Sequence, residues 1–95
     1  MEITDIRIRR MKAPGKMKAV ASVTFDDVFV VHDMKIIEGN EGMFIAMPSR
    51  KTKSGEYKDV AHPLVTEMRQ MLHDKIMEAY NNMPEDEDGG YDDEE

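Results

Sequence analysis

The feature that most constrains the fold of this chain is a two-residue alternation between positions 17 and 25. Its odd positions are all apolar, namely Met17, Ala19, Ala21, Val23 and Phe25, whereas most even positions are polar. Side chains alternate between the two faces of a strand, so this pattern predicts a half-buried β-strand. A similar alternation around Ile6 and Ile8 predicts a strand at about 2–11, and the turn signal at 13–15 predicts that the two strands form a hairpin.

Three further segments have the length and composition of strands. The segment at about 28–37 is apolar on both faces: Val28, Val30, Met34 and Ile36 are predicted on one, and Phe29, Val31 and Ile37 on the other. Such a strand is usually central in a sheet or covered by a partner. A short strand is predicted at about 43–47, where Pro48 ends it, and 56–60 is a candidate fifth strand. The polar, basic segment from Ser49 to Gly55 is predicted to be a loop or an exposed ribbon.

A single helix is predicted at about 63–80, with Pro63 at its first position. Its apolar residues fall in one stripe at helical spacing, namely Val65, Met68, Leu72, Ile76 and Ala79. Strands followed by one helix predict an α+β fold, a small antiparallel sheet of four to five strands with a C-terminal helix. One helix covers one sheet face, so we expect a strand-exchanged or sheet-extended homodimer.

The charges divide the chain into two parts. Residues 1–83 carry 13 basic and 12 acidic side chains, whereas residues 84–95 carry eight acidic side chains and no basic one. We therefore expect one folded domain at 1–83 and a disordered acidic tail at 84–95. Three interpretations of the tail stay open: it keeps the protein soluble, it folds back on basic side chains in competition with nucleic acid, or it recruits a basic partner.

The sequence offers little for catalysis, for a cofactor or for a membrane. It has no cysteine, and its three histidines, His32, His62 and His73, lack the spacing of metal ligands. No Walker A loop and no GxGxxG motif occurs, and no apolar run approaches the ~20 residues of a membrane span. The sequence Gly-Asn-Glu-Gly at 39–42 matches the GxxG loop of KH domains, but it lies between two predicted strands and carries an acidic residue, so we interpret it as a plain turn. We predict a cytoplasmic protein that is not an enzyme and has no metal, no cofactor, no small-molecule substrate and no membrane partner.

Basic side chains form two groups. The first contains Arg7, Arg9, Arg10, Lys12, Lys16 and Lys18, and the second contains Arg50, Lys51, Lys53 and Lys58. Such local excess of positive charge is what phosphate binding requires, although a solvated hairpin and loop explain it equally well. On the predicted helix, Arg69 lies beside Thr66 and Gln70, and these side-chain types can contact base edges.

Four blocks of the sequence resemble one known family. They are MEITDIRIRR at 1–10, MKAVASVTFD at 17–26, FVVHDMKIIEGNEGMFIAMPSRKT at 29–52 and GEYKDVAHP at 55–63. In order and spacing they resemble the stage V sporulation protein G (SpoVG, septation protein) family over about residues 1–80. The resemblance implies a bacterial, cytoplasmic dimer with an antiparallel sheet and a C-terminal helix, linked to cell division and sporulation.

The resemblance also implies that the protein binds nucleic acid. Several family members are DNA-binding proteins and some bind RNA, through the helix and an adjacent basic segment. By residue match, this implies contacts from Arg50, Lys51, Lys53 and Arg69. Our first hypothesis is a homodimeric regulator that binds DNA, with RNA as a second candidate. The alternative is a non-enzymatic protein-interaction module of septation or sporulation that does not itself bind nucleic acid.

Overall fold

The predicted α+β fold is confirmed by a computed structural model, which describes residues 1–11 and 15–83. The strands are β1 (Ile3–Arg10), β2 (Met17–Phe25), β3 (Phe29–Gly39), β4 (Gly42–Ala46), β5 (Ser49–Lys51) and β6 (Tyr57–Asp59), and the helix is α1 (Thr66–Asn82). An antiparallel sheet has the order β1-β2-β3-β4, and β5 and β6 form a separate two-stranded sheet. The predicted disordered tail at 84–95 lies outside the described residues.

The alternation in β2 forms the centre of the core. Ala19, Ala21, Val23 and Phe25 are all buried, so one face of the strand lies against the rest of the core. The full cluster of buried apolar residues is Ile8, Ala19, Ala21, Val23, Phe25, Met34, Ile36, Met47, Leu72 and Ile76. The helix contributes its buried Leu72 and Ile76, which are four residues apart and therefore lie on one helical face.

The predicted faces of β3 are wrong because the strand contains a bulge. Ala21 pairs with Met34 and Val23 pairs with Val31, so Ser22 alone faces two residues of β3. One of these, Asp33, has a φ of 67°, in the left-handed region. The extra residue reverses the alternation, and Val31 therefore packs against the same core as Met34. Val28 and Val30, predicted on the face of Met34, are instead exposed.

The helix begins at Thr66, three residues later than the predicted start at Pro63. Val65 has an extended backbone with φ −127° and ψ 151°, and no side chain caps the first turn. Pro63 is half-buried and lines an apolar cavity together with Leu72, so its ring packs against the core side of the helix instead of starting the helix. Val65, predicted in the apolar stripe, consequently lies before the helix and is exposed.

Arg10 binds the C-terminal end of the helix. Its Nη2 donates hydrogen bonds to the carbonyl oxygens of Tyr80 at 3.0 Å and Met83 at 3.2 Å. Its guanidinium carbon lies 4.3 Å from the centroid of the Tyr80 ring. The last helical turn has no basic residue of its own, so Arg10 from β1 supplies the positive charge that stabilises this end of the helix dipole.

We expect Arg10→Met to lower the free energy of unfolding by about 2 kcal/mol, because it removes two charge-assisted hydrogen bonds and a cation–π contact. For a domain of this size, the melting temperature should fall by roughly 8–16 °C. Thermal unfolding followed by circular dichroism measures this. Lys16→Met is the control, since Lys16 is exposed. Equal melting temperatures for the two variants would contradict a structural role for Arg10.

Candidate nucleic-acid interface

The second basic group lies on a two-stranded ribbon formed by residues 49–59. Arg50 pairs with Lys58, Lys51 with Tyr57, and Ser49 with Asp59. All six of these residues are exposed, so neither face of the ribbon is covered by the core. Backbone hydrogen bonds from Thr52 to Glu56 and from Val60 to Pro48, both 2.7 Å long, hold the ribbon at its two ends.

The ribbon places like charges opposite each other. Arg50 and Lys58 are direct cross-strand partners, an arrangement that is unfavourable unless an anion compensates it. Within the described part of the chain, neither side chain forms a hydrogen bond or an ion pair, and the same holds for Lys51 and Lys53. The ribbon therefore presents four cationic side chains to solvent.

The first basic group is used differently. Arg7 Nε lies 2.9 Å from Asp5 Oδ2, and Lys18 Nζ lies 3.3 Å from Glu38 Oε1. Arg10 binds the helix end, as described above, and Lys12 lies outside the described residues. Positive charges that are already close to carboxylates or carbonyl oxygens attract phosphate less strongly. The structure thus separates Arg7, Arg10 and Lys18 from the ribbon cations, whereas Lys16 is exposed like the ribbon cations.

The predicted helical residues line a groove beside β4. Thr66, Arg69 and Gln70 all contribute to it, and the groove has a volume of about 340 Å³. Its complete lining is Phe44, Ile45, Met47, Thr66, Arg69, Gln70 and His73. Gln70 Nε2 donates a 2.9 Å hydrogen bond to Asp74 Oδ1, and this bond orients the amide. Arg69 is exposed, and its guanidinium has no ion pair among the residues that the structure describes.

Comparison with known proteins identifies the relatives of this fold. The family model described as SpoVG matches residues 1–82. The chain belongs to the SpoVG family. It is 57% identical over 88 residues to a SpoVG protein of Clostridium botulinum (strain Alaska E43 / Type E3). These aligned residues cover 93% of this chain and 97% of the relative.

Two other SpoVG relatives show similar agreement. The protein of Clostridium novyi (strain NT) is 62% identical over 80 residues, covering 84% of this chain and 80% of the relative. The protein of Thermoanaerobacter sp. (strain X514) is 58% identical over 87 residues, which cover 92% of this chain and 95% of the relative. The names of all three relatives associate them with septation. The match spans both the ribbon and the groove of this SpoVG chain.

The sequence-predicted residues of this SpoVG chain therefore fall into two places. Arg50, Lys51, Lys53 and Lys58 come together on the ribbon, whereas Thr66, Arg69 and Gln70 line the groove. The two places are adjacent in sequence, because Met47 lines the groove and β5 begins two residues later.

The sequence patterns did not indicate a role for two aromatic residues that lie beside these side chains. Phe44 lies on β4 and is 46% exposed, and Tyr57 lies on the ribbon and is 71% exposed. Phe44 could have been found from its register, since the neighbouring Met43 and Ile45 pack against the core and Phe44 must point the other way.

Other chemistries find less support in the described residues. No group of three or more histidine or acidic side chains there could hold a metal ion. Ser22 Oγ lies 2.8 Å from His32 Nδ1, but the serine is buried inside the sheet, where this contact satisfies its hydroxyl. The one helix in the described part of the chain lacks the length and apolar character needed to cross a membrane.

Proposed function

We propose that this protein is a nucleic-acid-binding regulator of septation and sporulation, and not an enzyme. The septation role is supported by the names of its relatives. The observation that carries nucleic-acid binding is the cross-strand pair of Arg50 and Lys58, two cations held opposite each other without an acidic partner in the described chain. A phosphate backbone would supply the negative charge that this pair lacks.

The ribbon and the groove would make different kinds of contact with the nucleic acid. Contacts from Arg50, Lys51, Lys53 and Lys58 to phosphates would supply affinity that does not depend on sequence. Contacts from Thr66, Arg69 and Gln70 would reach bases. DNA is the first ligand that we propose, and RNA is the second, since phosphate contacts alone do not distinguish them.

We also propose that the protein acts as a cytoplasmic homodimer. Several large apolar side chains are exposed outside the core, including Leu64 at 91%, Val28 at 84% and Val60 at 65%. Large exposed apolar side chains on a small domain favour association with a second copy. Sedimentation equilibrium of each variant below would keep a change of oligomeric state apart from a change in nucleic-acid affinity.

Fluorescence-anisotropy titration with pooled duplex DNA and pooled RNA, at several salt concentrations, tests the proposal. We expect saturable binding that weakens with salt. For Arg50→Ala/Lys51→Ala, the slope of log affinity against log salt concentration should decrease by about 1.8 on duplex DNA, which corresponds to two lost phosphate contacts. Lys16→Ala/Lys75→Ala removes the same net charge from exposed positions elsewhere and should leave the slope nearly unchanged.

Absence of binding at low salt, for the intact chain and for a chain ending at Met83, would overturn the nucleic-acid proposal. The shorter chain is included because the acidic residues at 84–95 would compete with phosphates if they reached the ribbon. A negative result with both chains would favour the protein-interaction alternative, in which the exposed apolar side chains contact a protein of the division machinery.

A further inference from the structure

We propose that the ribbon of residues 49–59 binds single-stranded nucleic acid, with one unpaired base stacked on the ring of Tyr57. This inference rests on the proposed function, because it names the form of nucleic acid that the ribbon prefers. It assigns to Tyr57 a role that the distribution of charges does not suggest. It also gives the two faces of the ribbon different tasks.

The two faces of the ribbon carry different side chains. Cross-strand partners in an antiparallel pair point to the same side, and successive residues alternate between the two sides. Lys51 and Tyr57 are such partners and therefore share one face, whereas the pair of Arg50 and Lys58 lies on the other. One face thus presents two cations, and the other places a cation beside an aromatic ring.

The Tyr57 ring is open to a ligand. Tyr57 is 71% exposed, the highest value among the aromatic side chains that the structure describes. In that part of the chain its side chain forms no hydrogen bond, and no cation lies over its ring, not even that of its partner Lys51. A ring exposed to this degree adds little packing to the fold, and most of its surface is available to a flat apolar ligand.

The surrounding charge favours nucleic acid as that ligand. Residues 49–59 contain four basic and two acidic side chains, a net charge of +2. Cross-strand partners have their Cβ atoms about 5 Å apart, so the long Lys51 side chain can reach a phosphate next to a base that lies on Tyr57. Aromatic rings that stack with bases, flanked by cations that hold the backbone, are the usual elements of single-strand binding.

An acidic residue on the aromatic face sets the direction in which the strand runs. Asp59 pairs with Ser49 on the same face as Tyr57, at the end of the ribbon that adjoins the buried Pro48. Its carboxylate repels phosphate at that end. Lys53 lies at the other end, in the turn that joins β5 to β6. The backbone of a bound strand should therefore run from Lys51 toward the turn.

A duplex cannot use the Tyr57 ring in this way. Its bases are already stacked and paired, so only their edges and the phosphates are accessible to a protein. An unpaired base can leave the stack of its neighbours and lie flat on an aromatic ring. The ring therefore adds affinity for a single strand that the four cations alone do not provide.

The test measures binding of a single-stranded DNA of about 12 nucleotides and of its duplex by fluorescence anisotropy at several salt concentrations. Tyr57→Leu should weaken single-strand binding by roughly 10-fold and leave the salt slope unchanged, because stacking is lost without a phosphate contact. Its effect on duplex binding should be less than about twofold. Tyr57→Phe keeps the ring and should retain most of the affinity. Lys53→Ala should instead lower the salt slope on the single strand by about 0.7, which corresponds to one phosphate contact.

Tryptophan fluorescence tests the stacking itself. The chain has no tryptophan, so Tyr57→Trp places one indole on the ribbon. A base that stacks on this indole should quench its fluorescence when the single strand binds, and the duplex should quench it far less. Phe29→Trp is the matched control, since Phe29 is 60% exposed and lies on β3, and its fluorescence should stay unchanged. If Tyr57→Leu does not fold, the quenching of Tyr57→Trp still decides the question.

The outcomes separate this inference from the proposed function. Single-strand binding that is equal in the wild type and in Tyr57→Leu, or an indole that stays unquenched on a bound single strand, would overturn the inference and leave the proposed function intact. Equal losses on single strand and duplex would also overturn it, because the effect would then be structural. If the wild type binds neither nucleic acid, both proposals fail together.

Discussion

Ile76→Ala is expected to lower the free energy of unfolding by about 3–4 kcal/mol, the largest stability effect that we predict for one side chain. Ile76 is fully buried and belongs to the same core cluster as Ile36 and Leu72. Truncation would leave a cavity between the helix and the sheet, which a close-packed core cannot fill by relaxation. The free energy of unfolding of a small domain is only about 5–15 kcal/mol, so this substitution would remove much of the stability.

Urea denaturation followed by far-ultraviolet circular dichroism measures this effect, at one fixed protein concentration because association would also stabilise the folded state. Ile76→Val is the matched variant and should cost about 1 kcal/mol. A cost below about 1 kcal/mol for Ile76→Ala would contradict close packing of the helix against the sheet. The groove depends on the same packing, so nucleic-acid binding by Ile76→Ala should fall with the unfolded fraction.

The sheet could be predicted where each strand follows its local pattern. In β2 every odd position from Ala19 to Phe25 is buried, because an uninterrupted alternation corresponds directly to the two faces of a strand. In β3 the bulge at Asp33 changes the alternation halfway along, and both halves of the strand still look regular in sequence. The sequence offers one local signal, the aspartate at position 33, because aspartate adopts the left-handed conformation observed there more readily than most residues.

The candidate site could be predicted as a set of charges but not as a surface. Arg50 and Lys58 were identified from composition, whereas their cross-strand pairing depends on the turn that joins β5 to β6. Arg10 was grouped with the other basic side chains as a candidate for phosphate binding. In the structure it binds the end of the helix, about 70 positions away in sequence. Such contacts depend on the tertiary fold, and no local pattern contains them.

The helix start was mispredicted for a related reason. Pro63 satisfies the local rule for a first helical residue, but the structure places it against the cavity beside Leu72. Tertiary packing of a half-buried proline therefore outweighs its preference for a helix start. The later start matters for the site, because it places Thr66 in the first turn of the helix, at the groove.

Arg50→Glu is expected to weaken nucleic-acid binding by roughly 100-fold near physiological salt while leaving the protein at least as stable as the wild type. The substitution places a carboxylate opposite Lys58, so the like-charge pair becomes an opposite-charge pair. Such a pair stabilises a sheet by about 0.2–1 kcal/mol. The same carboxylate removes one phosphate contact and engages the lysine that makes a second contact, and the two losses together account for the reduced affinity.

The comparison of stability with affinity in this one variant tests why the ribbon has its charges. Arg50→Lys should retain most of the binding, and Lys16→Glu, with the same change of net charge as Arg50→Glu, should weaken it only a few-fold through the long-range field. A fall in both stability and affinity for Arg50→Glu would indicate that Arg50 maintains the fold. If affinity alone falls, the repulsion between Arg50 and Lys58 is a cost that the free protein bears and that bound phosphate relieves, which is the behaviour of a binding surface.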